Sequence, residues 1–285
     1  MVGAHVVPDP LHDLVVRLGA RDEAALAGDL LGHVRSFVRG EGWDYVGGGL
    51  SGARIQLCGK LAVELDGVRV EERLPGRQGR LLFGFLVVNR NRVLARDELV
   101  EALWPDGRDG GLAPVLSKLR RVVPLDGLRV VLPPDARVDV EAAADAVHRA
   151  ESALAQDDPR RAWGPAQVAM FVAARPFLPG AEGEWVDDMR RRLADIHIRA
   201  VEAYAQAGLG IGGTELAAAE RAGRELVRRE PYRESGYRIL MDALARGGNA
   251  AEALRVYDDL RTRLRDELGV SPSAQTQEAH RTLLG

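Results

Sequence analysis

The chain has little of what catalytic and disulfide-stabilised proteins are commonly built from. A single cysteine, Cys58, among 285 residues excludes an internal disulfide framework. It lies in a strand-like run, where a buried, inert thiol is expected. Aromatic residues make up only 5% of the chain, and lysine occurs only at positions 60 and 118. Positive charge is therefore nearly all arginine, a bias that genome composition explains as readily as phosphate binding. No stretch reaches the roughly 18 apolar residues of a membrane helix. The start, Met1 to Pro8, lacks the charged and apolar regions of a secretory signal, so a cytoplasmic location is expected.

Catalytic patterns are equally scarce. The six histidines, at 5, 12, 33, 148, 197 and 280, are never three or four residues apart, the spacing that puts two ligands on one helix face. Gly208, Gly210 and Gly213 match G-x-G-x-x-G, but no strand precedes them, so they read as an inter-helix loop and not a dinucleotide site. There is no P-loop and no Gly-x-Ser-x-Gly elbow. The pairs Asp187-Asp188 and Asp258-Asp259 read as solvated helix exteriors. A non-enzyme without cofactor or metal is expected.

What is present is a globular composition, 46% hydrophobic and 28% charged, and enough length for two cores. The formal charge is −3, unevenly distributed. Residues 54–140 carry 15 basic and 12 acidic side chains, whereas the segments on either side each hold an excess of three acids. A footprint on DNA is a local property, so overall acidity does not exclude one.

Three regions follow from the patterning. Residues 1–52 form an appendage. Leu11, Leu14, Val15 and Leu18 share one helical face, Asp22 caps a second helix ending at Gly40, and a Gly-rich linker runs from Gly47 to Gly52. Two such helices cannot make a core alone, so they are expected to regulate by packing on the rest of the protein or on a partner. Residues 53–140 open with period-two strands around Asp66-Gly67, a hairpin signal. A buried apolar helix follows over Arg80–Val88, then a second at Asp97–Trp104, a loop at Pro105–Gly110 and a third helix from about Gly111 to Val123. A final strand pair is expected at Leu128–Leu132 and Arg137–Val140, turning at Pro133–Ala136. Residues 141–285 are helical throughout. Expected helices span Glu141–Leu154, Ala166–Ala174, Trp185–Ala207, Thr214–Arg229, Arg233–Arg246 and Ala250–Leu268, with Gly269 and Pro272 as the stop. The expected N-caps Thr214 and Asn249 lie 35 residues apart, near the about 34-residue tetratricopeptide period. The fold class is α+β, a small mixed domain followed by an all-α repeat domain.

The third helix of the middle region is the candidate reading head. On a helical wheel Leu112, Val115, Leu116, Leu119, Val122 and Val123 point inward. Gly110, Pro114, Ser117, Lys118 and Arg121 form the opposite stripe, with Ala113 and Arg120 on its flank. A helix in the major groove needs such a stripe, with cations for phosphates and short donors for base edges.

The element order resembles the OmpR/PhoB-type winged helix, and Leu116 to Arg121 is similar to the end of that family's recognition helix. Trp163-Gly164, Arg175 to Gly180, Glu184 to Val186, Pro231, Leu240-Met241, Tyr257 and Glu267 to Pro272 resemble the bacterial transcriptional activator domain of SARP-type (antibiotic regulatory protein) regulators. With the winged helix, the likeness covers about 230 residues. It implies that Ser117, Lys118, Arg120 and Arg121 contact DNA, that Arg129 and Arg137 act from the wing, and that Arg90, Arg92 and Arg96 contact phosphates. It also implies that Asp106, Arg108 and Asp109, in the loop before the reading helix, face RNA polymerase. The expected function is that of a transcriptional activator. It would bind direct repeats in promoter DNA as a homodimer and hold the polymerase, through its sigma subunit or a neighbouring surface. Gly110-Gly111, Pro114 and Pro133-Pro134 depart from the family's pattern. They leave room for an alternative, an interaction or ligand-sensor protein whose winged helix no longer reads bases.

Overall fold

The structure is a computed structural model that describes residues 52–104 and 111–284. The proposed N-terminal extension lies outside the described residues, as does the loop carrying Asp106, Arg108 and Asp109. The molecule is mostly helical with a small sheet, and Leu50–Gly285 is one compact unit.

The sheet-bearing half begins with β1 (Ala53–Gln56), β2 (Ala62–Leu65) and β3 (Val68–Arg69), paired antiparallel in sequence. Asp66 and Gly67 both have positive φ, 50° and 76°, the combination a two-residue hairpin turn of the right twist requires. Helices α1 (Gly76–Val88), α2 (Arg96–Leu103) and α3 (Leu112–Leu119) follow. Leu82, Phe83, Leu86, Leu99, Leu112 and Leu119 are fully buried and form the core. Two further short strands, β4 (Leu125–Asp126) and β5 (Arg129–Val130), make a hairpin. β6 (Arg137–Val138) joins the main sheet, whose order is β3-β2-β1-β6.

This corrects the expected final strand pair. Residues 129–130 turn back on 125–126 through Gly127, at φ 58°. Pro133 and Pro134 supply no N–H for a ladder. Val138 instead lies beside Ile55 in a parallel pairing with β1, and both side chains are buried.

The helical half comprises α4 (Asp139–Ala155), α5 (Pro159–Ala173), α6 (Glu184–Ile211), α7 (Leu216–Arg229), α8 (Glu234–Arg246), α9 (Ala250–Arg263) and α10 (Ala274–Leu284). Each of α4 to α9 packs on the next, and the single long α6 also packs back on α4. Alanine lines the first of these interfaces: Ala146, Ala150, Ala166, Ala169 and Ala200 are all fully buried. Small side chains let helix axes approach closely. At the α7–α8 crossing, a Cβ on Gly236 would sit 2.9 Å from the Leu226 Cβ.

Several expectations shift here. Asp158 caps α5 through the Arg161 N–H, with Pro159 at the first helical position; the Asp-Pro pair starts the helix earlier than its turn-like composition implies. Gly208 and Gly210 do not form a loop but lie within α6. A Cβ at Gly208 would meet Trp163 at 3.2 Å, and one at Gly210 would meet Pro159 at 2.6 Å. Thr214 does not cap α7; its hydroxyl turns to Glu215 within a short 3-10 turn. Leu268 leaves the buried stripe of Ala253, Tyr257, Leu260 and Leu264 and is 53% exposed. The π turn at Leu264–Leu268 advances the register by one residue. Gly269 then takes the left-handed stop position as expected. α10 was not foreseen. Ser273 opens it, with its hydroxyl and N–H bound to Glu234 of α8.

A clasp joins the two halves. The α5–α6 segment runs antiparallel to the end of β1: the Gly59 N–H donates to the Pro176 carbonyl at 2.8 Å, and the Leu178 N–H donates to the Leu57 carbonyl at 2.9 Å. At its centre, the Asp139 carboxylate accepts from the N–H groups of Leu57, Cys58 and Val140 at 2.8–3.0 Å. Trp185 reaches back to α1 and α2. Its ring meets Phe85 edge-on at 5.2 Å, and its indole N–H donates to the Ala102 carbonyl at 3.2 Å.

Asp139 is completely buried. Burial drives its carboxyl up to about 6, against the Leu57 and Cys58 N–H groups, the Arg175 charge and the Val140 N–H, all of which pull it down. Asp139→Ala leaves three donors without a partner and should cost about 3 kcal/mol or more, since an orphaned buried donor costs about 1–3 kcal/mol. Chemical denaturation checks this. Because the folded pKa lies above the ordinary 3.8, the group's contribution is full at low pH and is lost as pH rises through about 6. The melting-temperature gap between wild type and Asp139→Asn should therefore narrow over that range. A constant gap would contradict the assignment.

Candidate nucleic-acid interface

The α3 helix starts at Gly111, whose φ of 104° only glycine adopts comfortably. Pro114 stands in the first turn, where its missing N–H has no helical partner to lose. Leu112, Leu116, Leu119 and Val123 are buried, whereas Ala113, Pro114, Ser117, Lys118, Arg120 and Arg121 are exposed. The helix is shorter than the expected Gly111–Val123. After Leu119 the chain tightens into turns, with the Arg121 N–H on the Lys118 carbonyl and the Val122 N–H on the Leu119 carbonyl, and Pro124 prevents continuation.

The β4–β5 hairpin lies against the end of this helix. The Arg120 guanidinium donates to the Gly127 carbonyl at 3.0 Å, so this cation fixes the hairpin turn to the helix. The side chains of Lys118 and Arg121 beside it and of Arg129 on β5 are exposed and make no hydrogen bond or ion pair among the described residues. These three cations and Ser117 are the polar groups that this face presents to a ligand. Arg137 is exposed on β6, in register with Arg54 on the neighbouring strand. It belongs to the main sheet and not to the hairpin, because β6 pairs with β1.

The remaining candidate cations have structural partners. Arg90 makes two parallel hydrogen bonds to Glu141, at 2.8 and 2.7 Å, and is only 18% exposed. It ties the end of α1 to the first turn of α4 as a tether between the two halves. Arg92 bonds Asn89 and Glu98, and Glu98 in turn accepts from the Ala95 N–H at the start of α2. Those donors hold the Glu98 carboxyl below its ordinary range, the Ala95 N–H foremost. Arg96 opens α2 and is exposed.

Residues 138–284 match the family model described as "Bacterial transcriptional activator domain". The chain belongs to this family. Its relatives include "Regulatory protein AfsR" of Streptomyces coelicolor, 30% identical over 246 residues, which span 82% of this chain and 24% of that protein. They also include "Transcriptional regulatory protein EmbR" of Mycobacterium tuberculosis, 28% identical over 252 residues, 80% of this chain and 62% of the other. The chain thus spans about a quarter of the first relative and less than two thirds of the second. Among solved structures, "Mycobacterium tuberculosis EmbR in complex with low affinity phosphopeptide" superposes with a TM-score of 0.69 at 23% identity, covering 81% of this chain and 65% of that one. The likeness to SARP-type regulators holds, and the shared fold extends beyond the family model into the sheet-bearing half. Among the described residues no helix is long and apolar enough to cross a membrane.

Sequence reasoning missed the clasp. Arg175 to Gly180 stood out only as a family signature, and Asp139 only as an alternating residue in a strand. The available signal was an acid at the strand-to-helix junction, set between Val138 and Val140 where an apolar residue would suit a buried position. The division of labour among the arginines is testable. Arg90→Ala should lower stability by about 1 kcal/mol by stranding Glu141, whereas Lys118→Ala should leave it within about 0.5 kcal/mol of wild type. Urea titration separates the two, and equal losses would refute it.

Proposed function

We propose that this member of the bacterial transcriptional activator domain family regulates transcription by binding promoter DNA. In this reading residues 53–140 are a winged helix. The α3 helix enters the major groove and the β4–β5 hairpin is the wing. Ser117, Lys118 and Arg121 face the duplex, and Arg129 meets the adjacent backbone. Residues 141–285 are a tetratricopeptide-like domain that pairs protomers on direct repeats and holds RNA polymerase, with Asp106, Arg108 and Asp109 on a second contact surface. Activation requires no covalent chemistry, only added contacts that stabilise the polymerase–promoter complex.

The observation that carries this reading is the exposed face of α3. Three cations whose side chains have no partner among the described residues sit on a helix and a hairpin that Arg120 fastens together. Cations that stabilise the fold are paired here, as Arg90 and Arg199 are, so unpaired ones on one rigid face suit an external polyanion. The regulatory names of the relatives agree. The first turn of α3 offers Ala113 and Pro114 instead of hydrogen-bonding side chains, so affinity should rest mainly on phosphates, with shape-dependent readout contributing to specificity.

Fluorescence anisotropy with the DNA upstream of the protein's own gene tests this. Affinity should fall as salt rises. The double variant Lys118→Ala/Arg121→Ala should bind about tenfold or more weakly, and its log–log salt slope should be shallower by about one for each phosphate no longer neutralised. Wild-type protein that fails to bind at low salt would rule the proposal out. Unchanged regulation in cells by the double variant would favour the ligand-sensor alternative.

A further inference from the structure

A second cationic site lies away from α3, where the two halves meet. A cavity of about 510 Å³ opens between the β1–β2 turn, the first turns of α1 and the segment after the clasp. Lys60, Arg77 and Arg80 line it, and no acidic side chain does. Arg77 shares its charge with Glu182 at the rim, at 3.3 Å. The side chains of Lys60 and Arg80 have no hydrogen bond or ion pair among the described residues. The floor is apolar, made by Leu61, Leu81 and Leu178.

One wall is held in an unfavourable conformation. Leu178 has a φ of 38°, a left-handed value that a branched residue rarely adopts. The clasp imposes it: the Leu178 N–H is bound to the Leu57 carbonyl, and its side chain lies over Gly84, where an added Cβ would be only 2.8 Å away. The cavity is thus bordered by a turn, a helix and a loop that belong to both halves, and its shape depends on how they meet.

We propose that this cavity binds a small organic anion with a flat apolar body, seated on the leucines with its phosphate or carboxylate between Lys60 and Arg80, and that occupancy braces the two halves against each other. A concave site with an apolar floor favours such a molecule over DNA. A duplex backbone is convex, and its phosphates gain nothing from leucine side chains. The site owes nothing to the α3 face and stands whether or not α3 reads DNA.

Isothermal titration calorimetry of the full chain with 1-naphthyl phosphate tests the proposal, with inorganic phosphate and 1-naphthol as charge-only and body-only controls. Saturable one-to-one binding is expected, with each control weaker by about tenfold or more. The exposed-residue variant Lys60→Ala/Arg80→Ala should keep its fold by circular dichroism and lose about tenfold or more in affinity for naphthyl phosphate. Absence of saturable binding, equal binding of inorganic phosphate, or an undiminished affinity in the variant would each overturn the assignment. So would a variant that weakens DNA binding while naphthyl phosphate fails to bind, since the cations would then serve the duplex.

Discussion

One buried carboxylate governs how this molecule is assembled. Asp139 stands where the last strand of the sheet becomes the first helix of the helical half, and its oxygens satisfy the N–H groups of Leu57 and Cys58 at the end of β1. β1 cannot use those donors in its own sheet, because β2 turns away before reaching them and β6 ends at Val138. An ionised group in an apolar setting is costly unless fully hydrogen-bonded. Three backbone donors and the nearby Arg175 offset part of that cost, though burial still outweighs them, and they do so only in the arrangement that brings the helical half onto the sheet. The carboxylate thereby ties the stability of the junction to its geometry.

The surrounding contacts act in the same direction. The segment 176–178 extends the sheet's hydrogen bonding, Trp185 fills the space between α1 and α2, and the Arg190 guanidinium donates to the carbonyls of Phe177 and Ala181 as the chain turns into α6. Arg90 and Glu141 add a charged tether beside the apolar one. Burial also pushes the Cys58 thiol well above its ordinary range, which leaves it an inert part of the clasp.

Much of this was legible in the sequence because it is periodic or local. Alternation located β1 and β2, Asp66-Gly67 located their turn, and the wheel through α3 separated Leu116 and Leu119 from Ser117 and Lys118 as the structure does. Gly269 and Pro272 marked the end of a helix. Misplaced features depend on partners distant in sequence. β6 was assigned to a hairpin because Val138 and Val130 look alike locally, and only β1, some 80 residues earlier, decides between them. Gly208 and Gly210 resembled a loop because their role is to admit Trp163 and Pro159. The Arg90–Glu141 tether was illegible for the same reason, since its partners lie 51 residues apart. Composition shows that cations are present, but only the fold shows which of them are already neutralised.

That distinction bears on function. A reading helix on a flexible tether can find its site, but it transmits little about where the rest of the protein then lies. Here α3 is fixed to the β4–β5 hairpin by Arg120, the hairpin and helices share a core, and that core is clamped to α4 and α6 through Asp139 and Trp185. In the proposed function, docking α3 in one groove therefore sets the direction in which α7 to α10 project. A short operator would specify the position of a surface far from the DNA. Regulation by contact demands this arrangement, because added contacts stabilise a polymerase–promoter complex only when both surfaces are presented together, without an entropic cost for ordering the link between them. In the proposed function the rigidity of the junction, and not any single contact at either end, would couple DNA binding to the second contact surface.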